Sequence, residues 1–207
     1  MYARVASFEN RDTSLADQLV DRVRERVRSG ADIPDAKGFL MLIDRQAGTA
    51  LGISFFESEE AIRKAEPEFE RMGQQIPKEM RGNRLSVDTY EVVIQEGGEG
   101  ARAARVSSLE GPPENVDKAI RVARDQVLPK ARQLRGWKGV ISLVDRKSGR
   151  GKLITLWESE DALRASEEKA NKLRQETAES AGEKIKGVDR YEVAVAERIS
   201  QPVGVRT

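Results

Sequence analysis

The charged side chains best placed to do chemistry are two arginines and two glutamates that recur at the same spacing in both halves of the chain. Arg4 and Arg105 lie in equivalent β-rich segments, and Glu91 and Glu192 lie in equivalent later ones. Since arginine and a carboxylate bind each other through two parallel hydrogen bonds, these residues are predicted to form cross-strand ion pairs. The alternative is that Arg4 and Arg105 bind an anion.

Aromatic and methionine side chains form a second group, because they could line an adaptable apolar cavity for a small ligand. Tyr90 and Tyr191 could also act as acids or position a phenolic substrate, although a buried tyrosine with one hydrogen-bond partner is ordinary in a core. Cavities and cores use the same residue types, so both interpretations stay open. The other candidates for a ligand pocket are Phe39, Met41, Phe56, Phe69, Met72, Trp137 and Trp157.

The chain contains neither histidine nor cysteine. This removes the commonest protein ligands of haem iron and of transition metals, together with the commonest general base and the thiolate nucleophile. We therefore expect no cofactor and no metal. Any reaction would have to use carboxylate, tyrosine, lysine or arginine side chains, or depend mainly on the substrate's own chemistry.

The net charge, the spacing of aromatic residues and the length of apolar runs indicate which partners and which location to expect. A net charge of +1 argues against a basic surface that would bind a nucleic-acid duplex by neutralising its phosphates. The paired aromatics of an RNA-recognition strand are also missing, since Phe55 and Phe56 would point to opposite faces. No apolar run approaches the roughly 20 residues needed to cross a bilayer, and the first residues do not resemble a signal peptide. We expect no nucleic-acid or membrane partner, and a cytoplasmic location.

The chain repeats itself with an offset of 101 residues. The segment "ARVASFE" from Ala3 matches "ARVSSLE" from Ala104, and "VDTYEVVIQE" from Val87 matches "VDRYEVAVAE" from Val188. An internal duplication predicts two structural units. The predicted divisions are a first unit at 1–96, a linker at 97–101, a second unit at 102–197 and a tail at 198–207.

Each repeat has the pattern of a ferredoxin-like β-α-β-β-α-β unit, so the fold class is α+β. Asp44 and Gly48 suit a hairpin turn, and Ser58 and Ser159 are predicted helix N-caps. Pro67 is predicted to break the second helix of the first unit, whereas the second unit should run straighter. In the hairpin strands, the residues that point to each of the two faces are apolar. This predicts that neither face of the sheet is solvated.

The motifs "FESEEAI" and "WESEDAL", each followed by a last strand with "YEV", resemble the dimeric α+β barrel superfamily and its antibiotic-biosynthesis monooxygenase-like domains. Members of that superfamily pair two identical domains through their sheets. The resemblance therefore implies two tandem ferredoxin-like units that pack sheet to sheet, so that a monomer forms a pseudo-dimer. Its haem-degrading relatives use a histidine that this chain lacks.

The resemblance implies a fold rather than one activity, since the superfamily includes cofactor-independent oxygenases, isomerases and proteins without known activity. The favoured interpretation is a small-molecule-binding or assembly protein whose ligand would be a small apolar or aromatic molecule. The alternative is a cofactor-independent monooxygenase acting on an electron-rich quinol or polyphenol. The two units differ along their helices, and the first unit is predicted to hold the larger apolar cavity.

Overall fold

The computed structural model describes residues 1–10, 12–29 and 33–198. The predicted tail lies outside the described residues from residue 199 onward. The main elements of the first repeat are β1 (Tyr2–Glu9), α1 (Ala16–Arg28), β2 (Gly38–Asp44), β3 (Thr49–Phe56), α2 (Glu59–Gln75), α3 (Lys78–Arg81) and β4 (Asn83–Gly97). Those of the second are β5 (Ala103–Glu110), α4 (Val116–Val122), α5 (Leu128–Ala131), β6 (Trp137–Asp145), β7 (Arg150–Trp157), α6 (Glu160–Ala165), α7 (Glu167–Ala181) and β8 (Lys184–Glu197).

The strands are hydrogen-bonded in the order β1-β3-β2-β8-β5-β7-β6-β4, which closes into a barrel. The predicted α+β class and the repeated β-α-β-β-α-β order are confirmed. Two compact units can be distinguished, and the long strands β4 and β8 are each divided between them. The first unit contains residues 1–89 and the end of β8 from Val193, and the second contains residues 90–192.

The turns and helix starts follow the local signals in the sequence. Asp44 accepts hydrogen bonds from the backbone of Gln46 and Ala47, which closes the β2–β3 hairpin as predicted. The Ser58 hydroxyl accepts from the Ala61 N–H at 3.1 Å, and Ser159 caps α6 in the same way. Both predicted N-caps are therefore confirmed, and each satisfies a backbone donor that a helix start leaves unpaired.

The prediction for Pro67 is wrong, because α2 runs without interruption through that residue. The second unit has the break instead, at Ser166 between α6 and α7. There the Leu163 carbonyl accepts from the Arg105 guanidinium at 2.8 Å and from the Ser166 hydroxyl at 2.7 Å. This carbonyl would otherwise receive the next helical N–H, so the competing donors interrupt the helix.

The central strands are buried on both faces, as their continuous apolar sequence predicted. On β2, Leu40 and Leu42 are fully buried on one face, and Met41 and Ile43 are 6% exposed on the other. Helix α1 contributes Ala16 to the packing on the second of these faces. Among the described residues, no helix is both long and apolar enough to span a membrane.

A candidate ligand cavity in the first unit

A cavity of about 500 Å³ lies in the first unit between the helices and the sheet. Its walls come from β1, β2 and β3 on one side and from α1, α2 and α3 on the other. Four of the predicted pocket residues contribute to it, namely Phe39, Met41, Phe69 and Met72. The volume lies within the range of small-molecule sites, roughly 300–1,000 Å³.

The sheet side of this cavity is built from residues that face each other across three strands. Arg4 on β1 is the register partner of Ser54 on β3, and Ser54 is the partner of Phe39 on β2. Residues directly opposite one another in antiparallel strands point to the same face. Their side chains therefore form one row on the face that the helices cover.

Two glycines leave space on opposite walls of the cavity. Gly52 lies on the sheet, where an added Cβ would meet only the rings of Phe39 and Phe8, at 3.9 and 4.0 Å. Gly73 lies on α2. The repeat places Leu153 and Arg174 at the equivalent positions of the second unit.

The Arg174 side chain is 9% exposed and lies 3.6 Å from Glu167, so it buries a guanidinium where the first unit has a glycine. Arg174 and Leu153 thus place large side chains at positions where the first unit has glycines. The first unit was predicted to hold the larger apolar cavity, and both cavities described here lie in it.

The second cavity, of about 460 Å³, lies beside the first. It is lined by residues of α1, by the end of α2 and by Ser54, with Glu197 and Arg198 at one side. The two cavities share the wall residues Val23, Phe39, Met72 and Ile76. Met72 has a flexible side chain and Phe39 an aromatic one. The rotamers of these two residues determine how far the two cavities are connected.

Arg4 is fixed by a bidentate ion pair, but its partner is Glu66 on α2. The Arg4 Nε and Nη2 atoms donate to the two carboxylate oxygens at 2.8 and 2.7 Å, and the guanidinium lies 3.9 Å from the centre of the Phe69 ring. The hydrogen bond from Arg4 holds the pKa of Glu66 below its ordinary value. The predicted partner Glu91 was wrong, because Glu91 binds Arg146 instead.

Two hydrogen-bond donors remain unused on the cavity walls. Arg4 is 4% exposed, and its Nη1 atom has no partner among the residues that the structure describes. Ser54 is also 4% exposed, and within the same residues its hydroxyl makes no hydrogen bond. Neither atom is among the fully buried side-chain atoms that lack a partner, so both face space in which water or an acceptor group of a ligand can bind them.

The equivalent arginine of the second unit is used differently. Arg105 donates through Nη2 to Leu163, Ser166 and Glu167, and the Glu167 carboxylate lies 2.9 Å away. The predicted partner Glu192 is therefore also wrong, and Arg105 faces Arg190 in the strand register. Burial lowers the pKa of Arg105, while the charge of Glu167 acts in the opposite direction.

The remaining predicted pocket residues line neither of these two cavities. Phe56 and Trp157 are fully buried and pack against the helices that follow them. Tyr90 is buried on β4, and Tyr191 is half-buried on β8. Trp137 packs beside Trp157 in one apolar cluster of the second unit. For these five residues, the structure shows packing positions.

Sequence reasoning missed Ser54, Gly52, Gly73 and Glu66. The repeat contained a usable signal for the glycines, since each aligns with a large side chain in the other unit. Within residues 1–10, 12–29 and 33–198, no group of three or more acidic side chains is arranged to hold a metal ion. The first cavity therefore combines apolar walls with the Arg4 guanidinium, and Ser54 lies on the wall of the second cavity beside it.

Comparison with known proteins identifies the fold. Two uncharacterised proteins of Mycobacterium tuberculosis are similar in sequence: one is 26% identical over 201 residues, covering 95% of this chain and 88% of the relative, and the other is 24% identical over 202 residues, covering 95% and 84%. No protein-family model matches the chain.

Among solved structures, the chain is similar to an anthrone oxidase-like protein, with a TM-score of 0.68, 13% identity and coverage of 99% of this chain and 96% of that one. It is also similar to a ferredoxin-fold protein from Listeria monocytogenes related to antibiotic biosynthesis monooxygenases, with a TM-score of 0.52, 10% identity and coverage of 92% and 94%. The likeness shows that the chain has the α+β barrel fold of these proteins, which confirms the fold that the sequence motifs implied.

Proposed function

We propose that this protein binds a small apolar or aromatic molecule in the cavity of the first unit. The observation that carries the proposal is the cavity of about 500 Å³ between sheet and helices, which is partly open to solvent and has glycines on both walls. Phe39 and Phe69 supply aromatic surface, and Met41 and Met72 supply side chains that adapt to a ligand's shape. One chain supplies both ferredoxin-like units, so we propose that the binding species is a monomer.

Replacing Gly52 by Leu is expected to weaken ligand binding by tenfold or more, because the new side chain would occupy the volume that a ligand needs. The change copies Leu153 of the second unit, and the space around Gly52 accepts a Cβ without a clash. The stability of the fold should therefore be retained. The measurement is a titration with the neutral fluorescent probe phenylnaphthylamine, whose emission rises in apolar surroundings.

Gly187→Leu is the matched control, since Gly187 also lies on a strand, also has room for a Cβ, and belongs to the second unit. It should leave the affinity for the probe unchanged. Equal affinity of the wild type and Gly52→Leu, or a loss in both variants, would place binding outside this cavity and overturn the proposal.

A second candidate function is the oxygenation of an electron-rich aromatic substrate without a cofactor. It is supported by the fold shared with the anthrone oxidase-like protein and by the mainly apolar cavity. In such a reaction, dioxygen would oxidise the methylene carbon of an anthrone to a ketone. One oxygen atom would enter the product, and the other would leave as water with the two methylene hydrogens.

Oxygen consumption with anthrone and with a panel of quinols tests this candidate. Turnover that Gly52→Leu abolishes and Gly187→Leu preserves would support an oxygenase. Binding of phenylnaphthylamine without oxygen uptake on any of these substrates would leave ligand binding as the function and reject the oxygenase.

A further inference from the structure

We propose that the ligand of this cavity is amphipathic, with an apolar body and an anionic oxygen head group such as a carboxylate or a phenolate. The head group binds the Arg4 Nη1 and the Ser54 hydroxyl. This inference rests on the proposed function, because it specifies the ligand of the same site.

The position of the two donors is the first step. Arg4 and Ser54 are register partners on β1 and β3, and their side chains leave the sheet on the same face, with Cβ atoms about 5 Å apart. Arg4 lines the first cavity and Ser54 lines the second. A head group at the boundary of the two cavities is therefore within reach of both donors, and a carboxylate could bind one with each oxygen.

The second step is the type of group that these donors accept. Guanidinium groups only donate hydrogen bonds, and Glu66 already uses the other edge of the Arg4 side chain. The acceptor for Nη1 must therefore be water or a ligand, and an acceptor group of a ligand would replace water at this atom. Cationic side chains outnumber anionic ones on the described lining of the first cavity: Arg4, Arg45, Lys78, Arg81 and Arg84 against Asp12, Asp44 and Glu70. Three of these cations are already paired: Arg4 with Glu66, Arg45 with Asp17 and Arg84 with Glu70. The preference for an anionic acceptor therefore rests on the guanidinium itself, because hydrogen bonds between charged groups are the stronger ones.

The third step is the length of the apolar body. The two cavities share Phe39 and Met72, and carbon atoms make up most of the lining surface of each, although half of the residues around the second cavity are polar or charged. A head group at their boundary leaves volume on either side for a fused ring system or an alkyl chain. We infer a ligand larger than a single aromatic ring.

At the equivalent positions of the second unit, where we propose no ligand, the side chains form hydrogen bonds within the chain. Thr155 takes the place of Ser54, and its Oγ1 atom accepts a hydrogen bond from Trp157 Nε1 at 3.0 Å. The Nη2 atom of Arg105, the equivalent of Arg4, donates to three oxygens of the chain. Internal partners therefore bind the Arg105 Nη2 and Thr155 Oγ1 atoms, while the buried Arg105 Nε has no partner among the described residues.

Two fluorescent probes that differ in charge separate this inference from the proposed function. Phenylnaphthylamine is neutral, and anilinonaphthalene sulfonate adds an anionic oxygen group to the same ring system. We expect the wild-type protein to bind both and to bind the sulfonate about tenfold more tightly, since hydrogen bonds to charged groups are the stronger ones.

Ser54→Ala should reduce the affinity for the sulfonate about tenfold and leave the affinity for phenylnaphthylamine within twofold. The variant should fold, because the hydroxyl has no partner among the described residues. A double variant, Arg4→Met with Glu66→Met, removes the ion pair as a unit and should abolish the preference for the sulfonate. Thr155→Val is the matched control and should leave the affinities for both probes unchanged.

The outcomes are distinct. If phenylnaphthylamine does not bind, the proposed function fails. If it binds and the sulfonate is not preferred, or if Ser54→Ala affects both probes equally, the head-group inference alone is overturned. A loss of sulfonate preference in Thr155→Val would likewise show that the anionic group binds elsewhere.

Discussion

Trp157→Ala is expected to lower the free energy of unfolding by about 4 kcal/mol, the largest effect that we predict for a single substitution. Trp157 is 1% exposed, and it packs with Ala103 and Leu163 in the core between the sheet and α6. Its ring also lies 5.3 Å from the Arg105 guanidinium. Truncation would leave a cavity beneath that arginine, and the surrounding strands could close it only in part.

Urea denaturation followed by far-ultraviolet circular dichroism measures this change, since that signal does not depend on tryptophan. Trp137→Phe is the control in the same cluster, because the Trp137 Nε1 is buried and has no hydrogen-bond partner within the described chain. Removing an unsatisfied donor should change the unfolding free energy by less than about 1 kcal/mol. Similar losses at both tryptophans would contradict the prediction.

Glu167→Gln is expected to lower the free energy of unfolding by about 3 kcal/mol at neutral pH. This carboxylate lies 2.9 Å from Arg105 and 2.8 Å from Arg190, with Arg174 at 3.6 Å. Arg105 and Arg174 are both buried, and burial lowers the pKa of each. Removing the one carboxylate that they share would leave two buried cations without compensation.

The effect of Glu167→Gln should depend on pH. Burial acts to raise the pKa of Glu167, but the hydrogen bond from Arg190 and the charge of Arg105 outweigh it, and the net pKa lies below the ordinary value of 4.5. A lowered pKa in the folded state stabilises the protein above the ordinary pKa, and this contribution is lost as pH falls through the folded-state value.

The stability difference between the wild type and Glu167→Gln should thus be full at pH 7 and shrink below about pH 4. Glu66→Gln is the matched comparison in the first unit. Among the described residues, Glu66 forms an ion pair with Arg4 alone, so Glu66→Gln should lower the free energy of unfolding by less at neutral pH. An equal loss for both variants, or a difference that grows in acid, would show that the three arginines do not act through Glu167.

Features that depend on neighbouring residues could be predicted from the sequence alone. The repeat and the alternation of apolar residues indicated two β-α-β-β-α-β units, because strand and helix periods are local properties of the chain. Ser58 and Ser159 could be recognised as N-caps because a cap bonds a backbone N–H three residues away. The same reasoning predicted the hairpin at Asp44.

Contacts between residues that are far apart in the sequence could not be predicted from the repeat. Glu91 and Glu66 both recur with the same offset, so each was an equally regular partner for Arg4. The structure decided between them because α2 crosses above β1 and brings Glu66 to 2.7 Å. The helix break also depended on tertiary contacts, since Arg105 reaches the Leu163 carbonyl from another element.

The candidate site shows the same division. The sequence determined which apolar side chains were available, and four of the predicted pocket residues, Phe39, Met41, Phe69 and Met72, line the first cavity. It could not separate them from Phe56 and Trp157, because cores and cavities have the same composition. Only the packed structure decided this, since a cavity exists where facing walls carry too little volume, as Gly52 does beneath the helices of the first unit.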